Sequence, residues 1–385
     1  MRYLLPIALV LGCLLSCTQD ASVRTSQLVQ AEIDQARAQY APDKRTALFD
    51  VHWDGDQKML HGETNQPEGM AQLIKAMDDL QVQFVDSVHV LKADAAIVNI
   101  SVCNIRSAPK HSAELATQSL LGTPLKVFKK NGSWYLVQTP DGYFGWLDAG
   151  GLWSVSPEEF VAWSQAEKVV VIEPFEFVYQ KNGREVLTDV VAGNILELKE
   201  DLGSKLEVLL PDGRRGVIQT SAVSSYQSFL QPHEPLLENI LRVAHRFMGV
   251  PYLWGGTSPK AVDCSGFTKT VFYLNGLELP RDASQQVQVG QPIRTDTLLT
   301  NLERGDFIFF GRHAREEEKE KITHVAIYLG DGKIIHSSGR VQIESLRRGD
   351  VDFNEYRLHT MVRAQRMLDG VGEHGVIPLY EHPWY

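Results

Sequence analysis

The chain has 385 residues and a formal net charge of −10 at pH 7. This length is enough for two or three domains of ordinary size, and 43% hydrophobic with 22% charged residues is typical of globular proteins. The negative charge excludes the basic surface that non-specific nucleic-acid binding requires. We therefore expect a multidomain globular protein with no nucleic-acid partner.

Residues 1–17 have the pattern of a bacterial export signal. One basic residue, Arg2, precedes a short apolar run and then small residues before a cysteine; the run is too short to span a bilayer comfortably. The segment LLSC resembles a lipobox, which predicts lipidation of Cys17. A lipobox ending at Cys13 and a plain secretory signal are the alternatives. The pattern predicts an exported protein that a lipid anchor holds on a bacterial membrane, facing the periplasm or cell wall.

The segments that follow predict small domains. Residues 18–94 indicate an N-terminal helix and a small α+β unit, with an amphipathic helix in QPEGMAQLIKAMDDL. Tight-turn dipeptides such as Asn131-Gly132 then separate short strands, and PDGYFGWL is echoed later by PDGRRGVI. This repeat predicts two β-barrels, at 95–153 and 165–225, that resemble bacterial SH3-like barrels.

The two repeats differ in their aromatic residues. Tyr143 and Trp146 in the first repeat are replaced by Arg214 and Val217 in the second. Aromatic side chains beside a tight turn can hold a ligand, although packing is their commoner use. The first barrel is therefore the better candidate for contributing to a binding site.

A third domain is expected over residues 235–370, followed by a tail at 371–385. The segment VDCSGFTKTVFYLNG predicts a helix that begins near Cys264. A cysteine in the first turn of a helix lies near free backbone N–H groups and the positive end of the helix dipole. Both favour the nucleophilic thiolate. Cys264 has no disulfide partner evident in the sequence, so we interpret it as a candidate nucleophile.

Two histidines, His324 and His336, lie on a predicted hairpin. A two-residue Asp331-Gly332 loop would place them on opposite faces of the hairpin. A three-residue loop beginning at Gly330 would place Ala326 opposite His336, so that both histidines share one face. We predict the three-residue loop.

These three residues could form a catalytic triad. Cys264 would attack, His324 would take the thiol proton and return it to the leaving amine, and His336 would orient His324. A zinc site is the other use of a cysteine with two histidines, but no fourth ligand stands at a recognisable spacing. We therefore expect no metal and no cofactor.

Five segments of the third domain resemble the NlpC family of cell-wall cysteine peptidases, in the family's order. They are PYLWGG, DCSGF, LPRDASQQ, RGDFIFF and HVAIYLGDGKIIH. The whole layout resembles a subgroup with two SH3-like barrels ahead of the catalytic domain. The resemblance implies a multidomain α+β protein: a small N-terminal α+β unit, two SH3-like barrels and a papain-like α+β catalytic domain.

The resemblance also implies roles for individual residues. Cys264, His324 and His336 fall on the family's triad, and Tyr252 matches a tyrosine that lines the catalytic centre and assists the oxyanion. The subgroup recognises a free N-terminal L-Ala with an acid and hydroxyls. The residues implied for substrate binding are Asp263, Ser265, Ser284, Glu114 and Tyr143.

The implied activity is hydrolysis of the bond between γ-D-Glu and an L-diamino acid, lysine or diaminopimelate, in peptidoglycan stem peptides. The enzyme would act in murein turnover or recycling, as a monomer. A catalytically inert wall-binding lipoprotein and a papain-like amidase or acyltransferase are the alternatives. The charged insertion at 312–321 departs from the family pattern.

Overall fold

The computed structural model describes residues 8–385 except 233, 235, 297 and 317, with side chains from residue 23 onward. The predicted signal at 1–17 and the lipidation site Cys17 lie outside the residues whose side chains are described, so both stay predictions. Among the described residues, no helix is long and apolar enough to cross a membrane. The chain divides into two compact units, one up to Ala93 and one from Asp94 to Tyr385.

The first unit is a small α+β structure. Its elements are α1 (Ala8–Tyr40), β1 (Phe49–Asp54), β2 (Met59–Thr64), α2 (Pro67–Asp79) and β3 (Val85–Val90). β1 pairs antiparallel with β2, and β2 pairs parallel with β3. Met70, Leu73 and Met77 recur at helical spacing in α2 and are buried against residues of α1 and the sheet.

The second unit begins with an antiparallel sheet of seven strands in the order β10-β4-β7-β8-β9-β5-β6. Its strands are β4 (Asp94–Val98), β5 (Val102–Arg106), β6 (Leu115–Leu120), β7 (Pro124–Asn131), β8 (Trp134–Gln138), β9 (Phe144–Asp148) and β10 (Leu152–Val155). Strand pairing does not close this sheet on itself, because β10 and β6 remain as edges. Cys103 is buried in its core.

A second seven-stranded antiparallel sheet follows α3 (Pro157–Gln165), in the order β13-β12-β16-β15-β14-β11-β17. Its strands are β11 (Lys168–Val171), β12 (Glu176–Tyr179), β13 (Val186–Val190), β14 (Ile195–Asp201), β15 (Lys205–Leu209), β16 (Arg215–Gln219) and β17 (Val223–Ser225). This sheet also has two free edges. The short helix α4 (Tyr226–Phe229) ends the segment.

The remainder of the unit packs helices on a third antiparallel sheet, ordered β21-β26-β22-β23-β24-β25. Its elements are α5 (Leu236–Arg246), β18 (Thr257–Ser258), β19 (Ala261–Val262), α6 (Cys264–Tyr273), β20 (Leu277–Glu278), α7 (Ala283–Gln286), β21 (Gln291–Ile293), β22 (Phe307–Arg312), β23 (Lys321–Gly330), β24 (Lys333–Ser338), β25 (Arg340–Ser345), α8 (Glu355–His359), β26 (Met361–Arg366) and β27 (Ile377–Pro378). This architecture confirms the predicted multidomain α+β class.

The apolar core of the third sheet holds α6 in place. Phe267 and Val271 of α6 are fully buried in one cluster with Val325 and Ile327 of β23 and Ile335 of β24. The apolar segment FIFF is buried along its whole length and forms the first four residues of β22, a central strand of the sheet. This packing fixes the N-terminus of α6 against the two strands that carry the histidines.

The first sheet lies directly against the turn that precedes α6. The Gln118 side chain accepts hydrogen bonds from the Thr257 backbone and the Ser258 hydroxyl, both at 3.0 Å. Gly255 has a left-handed backbone, with φ of +81°, and a Cβ there would overlap the carbonyl oxygen of Leu115 on β6. Only glycine lets the two backbones approach this closely.

We predict that Gly255→Ala destabilises the second unit more than Gly249→Ala does. Both glycines have φ between +80° and +90°, so both variants carry the left-handed strain of about 1–3 kcal/mol. A Cβ at Gly249 meets open space, whereas one at Gly255 meets backbone. Thermal melts of the two variants should show the larger loss for Gly255→Ala; equal losses would contradict the close approach.

Candidate active site

Cys264 is the first residue of α6, and Asp263 is the N-cap. The Asp263 carboxylate accepts a hydrogen bond from the Gly266 backbone N–H at 2.7 Å, which satisfies one of the free donors at this helix end. The Cys264 thiol is buried and forms a backbone hydrogen bond with Val325, the residue after His324. The helix start and β23 therefore meet at the candidate nucleophile, as the sequence predicted.

The protonation state of this thiol differs from the sequence-based expectation. Burial raises the pKa of Cys264 to about 11, and the negative charge of Asp263 adds to the rise. Hydrogen bonds with the backbone of Val325 and Ser265 and the charge of Arg281 lower the pKa by less. The helix N-terminus alone does not stabilise a thiolate here, because the loss of solvation destabilises the anion by more free energy than the helix end contributes.

The histidine hairpin has the predicted pairing but a different loop. Ile327 pairs with Ile335, which puts Ala326 opposite His336, as expected. The connection itself is the two-residue Asp331-Gly332 loop, and a β-bulge between Tyr328 and Gly330 supplies the extra residue. The predicted three-residue loop is therefore wrong, and the bulge keeps both histidines on one face.

The two histidine side chains are in direct contact. His324 Nε2 lies 2.7 Å from His336 Nδ1, and the ring planes are nearly perpendicular, at 87°. Because Nε2 of His324 is engaged, its Nδ1 is the ring nitrogen left for proton transfer. Burial lowers the pKa of His324 well below its ordinary value, and the positive charge of Arg357 acts in the same direction. His324 is therefore a neutral base at neutral pH.

Glu344 on β25 stands behind His336. Its Oε2 lies 3.0 Å from His336 Nε2, although the angle is poor for a hydrogen bond. The carboxylate is held by Asn354 Nδ2 at 2.7 Å, and His336 with Asn354 keeps the pKa of Glu344 low. A carboxylate at this distance favours a proton on His336 Nε2, which makes His336 Nδ1 an acceptor for His324 Nε2–H.

Tyr252 is positioned by backbone contacts on both sides of the site. Its N–H donates to the Gly339 carbonyl at 3.0 Å, and it forms an isolated bridge with Val262 just before the nucleophile. Burial, with the charges of Cys264 and Asp263, raises the pKa of Tyr252 to about 12. The hydroxyl therefore stays protonated and can donate a hydrogen bond to a developing oxyanion.

Asp263 has a buried partner that the sequence analysis did not assign. Arg281 Nη2 donates to Asp263 Oδ2 at 2.6 Å and Nη1 to Oδ1 at 3.2 Å, and the arginine is only 1% exposed. The Gly255 N–H also donates to Asp263 Oδ2, at 3.0 Å. Asp263 therefore anchors the start of α6, besides any contact with a substrate.

The two serine candidates occupy different environments. Ser265 is buried; its hydroxyl donates to Asp263 Oδ1 at 3.3 Å and accepts from Arg281 Nη1 at 3.1 Å. Ser284 is exposed in the first turn of α7. Asp282 precedes that helix as its N-cap, so Ser284 is not the cap.

Glu114 and Tyr143, which the resemblance implied for substrate binding, both contact segments of the catalytic domain that flank Asp263 and Arg281. Glu114 Oε1 accepts from Trp254 Nε1 at 2.6 Å, and Tyr143 donates its hydroxyl to Asp282 Oδ2 at 3.0 Å. Asp282 is in turn 3.9 Å from Arg281. Two continuous sets of contacts thus lead from the first sheet to Asp263, one through Trp254 and one through Asp282.

Sequence reasoning missed four site residues. Arg281 and Asp282 stand in LPRDASQQ, which was matched as a motif without a role for either residue. Glu344 and Arg357 lie outside every matched segment, and only the fold brings them to the histidines.

Comparisons with known proteins agree with this architecture. Residues 249–359 match the NlpC/P60 family, and residues 105–152 match the bacterial dipeptidyl-peptidase Sh3 domain. The γ-D-glutamyl-L-lysine dipeptidyl-peptidase of Bacillus subtilis is 33% identical over 232 residues, which are 58% of this chain and 72% of that protein. The protein of the same name from Bacillus cereus is 32% identical over 233 residues, covering 58% and 67%.

A solved structure extends the match. A crystal structure of an NlpC/P60 family protein from Bacillus cereus superposes with a TM-score of 0.61 at 26% identity, covering 71% of this chain and 99% of that one. The fold and the matches define a cysteine peptidase with an SH3-like domain before its catalytic domain. The chain belongs to the NlpC/P60 family.

We predict that the rate of Cys264 alkylation by iodoacetamide rises about tenfold per pH unit from pH 6 to beyond pH 9. Iodoacetamide reacts with the thiolate, and the thiolate fraction increases until the pH reaches the raised pKa of the thiol. Peptide mass spectrometry would follow the rate at Cys264, with Cys264→Ala as the control for other sites. A rate that is already constant near pH 6 would show a resting thiolate–imidazolium pair and contradict the prediction.

Proposed function

We propose that the chain hydrolyses the bond between γ-D-Glu and an L-diamino acid in peptidoglycan stem peptides that have a free N-terminal L-Ala, during murein turnover. The observation that carries the proposal is the contact of Tyr143 with Asp282, which holds the first sheet against the start of α7, next to the Arg281 that binds Asp263. The names of the two Bacillus relatives support the same bond class.

In the proposed mechanism, Cys264 Sγ attacks the γ-carbonyl carbon of D-Glu while His324 Nδ1 takes the thiol proton. The carbonyl electron pair moves to the oxygen, where Tyr252 and backbone N–H groups at the start of α6 donate hydrogen bonds. The tetrahedral intermediate collapses to a thioester, and His324 returns its proton to the departing amine of the diamino acid. Water, activated by the same histidine, then hydrolyses the thioester.

His336 and Glu344 hold the base in this mechanism. The 2.7 Å contact between His324 and His336 fixes the ring of His324 while its proton comes and goes. Glu344 would stabilise the positive charge that forms on the histidine pair. The neutral resting state means that the proton leaves the thiol as the substrate is attacked.

We place the free ammonium of L-Ala among the acidic groups at the other side of the nucleophile. Glu114, Asp263 and Asp282 supply carboxylates there, and Tyr143 supplies a hydroxyl. An acylated N-terminus would bring no positive charge to these carboxylates, so their negative charge would be desolvated without a cation from the substrate, which is costly. The first sheet, positioned over this end by Glu114 and Tyr143, would also block stem peptides that are still linked to sugar.

The activity predicts release of L-Ala-γ-D-Glu from L-Ala-γ-D-Glu-L-Lys or its diaminopimelate counterpart. Cys264→Ala should lower kcat by about 10⁴-fold or more, since the nucleophile is lost. Mass spectrometry of the products released from free peptides and from intact sacculi measures both the cleavage and its loss in the variant. Absence of product with wild type would favour an inert wall-binding protein, and release from intact sacculi alone would show that the first sheet does not gate the site.

The ammonium site is tested best at Glu114, because replacing Asp263 would leave Arg281 buried and unpaired. We expect Glu114→Gln to lower kcat/KM for the free tripeptide by about tenfold, about 1.4 kcal/mol, with no such loss for the N-acetylated peptide. Glu185→Gln, at an exposed acid in the turn between β12 and β13, is the matched control. If Glu114→Gln left the ratio of kcat/KM for the free tripeptide to kcat/KM for the N-acetylated peptide unchanged, the proposed contact of Glu114 with the ammonium would be refuted.

A further inference from the structure

Arg357 is a half-buried cation that no step of the proposed mechanism uses. It lies in α8, and its guanidinium carbon is 5.5 Å from the centre of the Phe310 ring. Its Nη2 donates to Ser338 Oγ at 3.4 Å. Phe310 is the strand partner of His324, and Ser338 follows His336 by two positions on β24. Arg357 therefore lies beside both histidines.

The charge of Arg357 is not neutralised by a close carboxylate. Within the described part of the chain, no acidic group forms an ion pair with it shorter than 4 Å. Glu344 interacts with it electrostatically, but the oxygens of Glu344 already contact His336, Asn354 and Gln342. A guanidinium has five N–H donors. Among the described residues, the guanidinium of Arg357 donates one long hydrogen bond, to Ser338, so it has donors to spare for a ligand.

The position of Arg357 selects one side of the scissile bond. Its charge acts on Cys264, Tyr252 and His324, so it lies within electrostatic range of the reacting atoms. His324 must hand its proton to the leaving amine, so the leaving group lies on the histidine side of the nucleophile. Arg357 contacts β22 and β24 on that side. The acidic groups proposed to bind the ammonium lie on the other side, near α7 and the first sheet.

We propose that Arg357 binds a carboxylate of the leaving diamino acid, an inference that rests on the proposed function. Arginine suits this ligand because its planar guanidinium donates two parallel hydrogen bonds to a carboxylate. Two carboxylates have this chemistry. One is the α-carboxylate, which is free when the diamino acid is the last residue, and the other is the distal carboxylate of diaminopimelate, which lysine lacks.

The experiment compares kcat/KM for three peptides that differ only in the third residue: L-Ala-γ-D-Glu-L-Lys, the same peptide with a C-terminal amide, and L-Ala-γ-D-Glu-meso-diaminopimelate whose α-carboxylate is an amide. Wild type, Arg357→Gln, Arg357→Lys and Arg348→Gln are measured on each. Arg348 is the matched control, an exposed arginine whose partner Glu355 also lies in α8.

We expect Arg357→Gln to lose about 10- to 100-fold in kcat/KM on peptides that present the recognised carboxylate. The amidated lysine peptide should lose far less, and Arg357→Lys should recover part of the activity. Loss on the lysine acid alone assigns the α-carboxylate, and loss on the diaminopimelate α-amide alone assigns the distal one. Arg348→Gln should match wild type throughout.

Equal losses on all three peptides would overturn the inference, because they would show that Arg357 acts through the fold or through His324 rather than on a carboxylate. No loss on any peptide would overturn it as well. Failure of the proposed function has a different signature: wild type itself would cleave none of the three peptides, and the inference would fall with it.

Discussion

The buried ion pair of Asp263 and Arg281 organises the site. Arg281 is 1% exposed and binds both oxygens of the carboxylate that caps α6. Neither charge is stable alone in this environment, since removing one partner of a buried pair typically costs about 3–5 kcal/mol. Through Arg281 the pair connects to Asp282, and through Gly255 to the turn beneath the first sheet. The nucleophile, α7 and the first sheet are thus held at one point.

The Asp263 carboxylate also disfavours the thiolate form of Cys264. A helix N-terminus stabilises a nearby anion by at most about 2 kcal/mol, while the rise of the Cys264 pKa from its ordinary value of 9 to about 11 corresponds to about 3 kcal/mol. Desolvation and Asp263 therefore prevail, and both Cys264 and His324 rest uncharged. A buried neutral pair avoids the cost of two charges in the free enzyme, and charge separation is deferred until the carbonyl carbon is attacked.

The parts of the site that depend on local sequence patterns could be predicted from the sequence. The helix start at Cys264 follows from a capping acid and helical periodicity, and the shared face of the histidines follows from strand alternation. The loop prediction was wrong because a β-bulge at Tyr328 and a three-residue loop give the same pairing of Ile327 with Ile335. Arg281 and Arg357 were missed because their partners are chosen by tertiary contacts, which no spacing in the chain encodes.

The charged residues of the proposed site are arranged so that they favour one orientation of a bound peptide. Glu114, Asp282 and the shared charge of Asp263 lie toward the first sheet, and Arg357 lies on the histidine side. A stem peptide with a free amine at one end and a carboxylate on its diamino acid is itself a dipole, so the two groups of charges favour one orientation of binding and disfavour its reverse. In that orientation the leaving amine would face His324, which would hold the proton that this amine needs. Recognition of the two ends would then place the γ-carbonyl at Cys264, and binding energy at charges remote from the bond would supply the alignment that the chemistry requires.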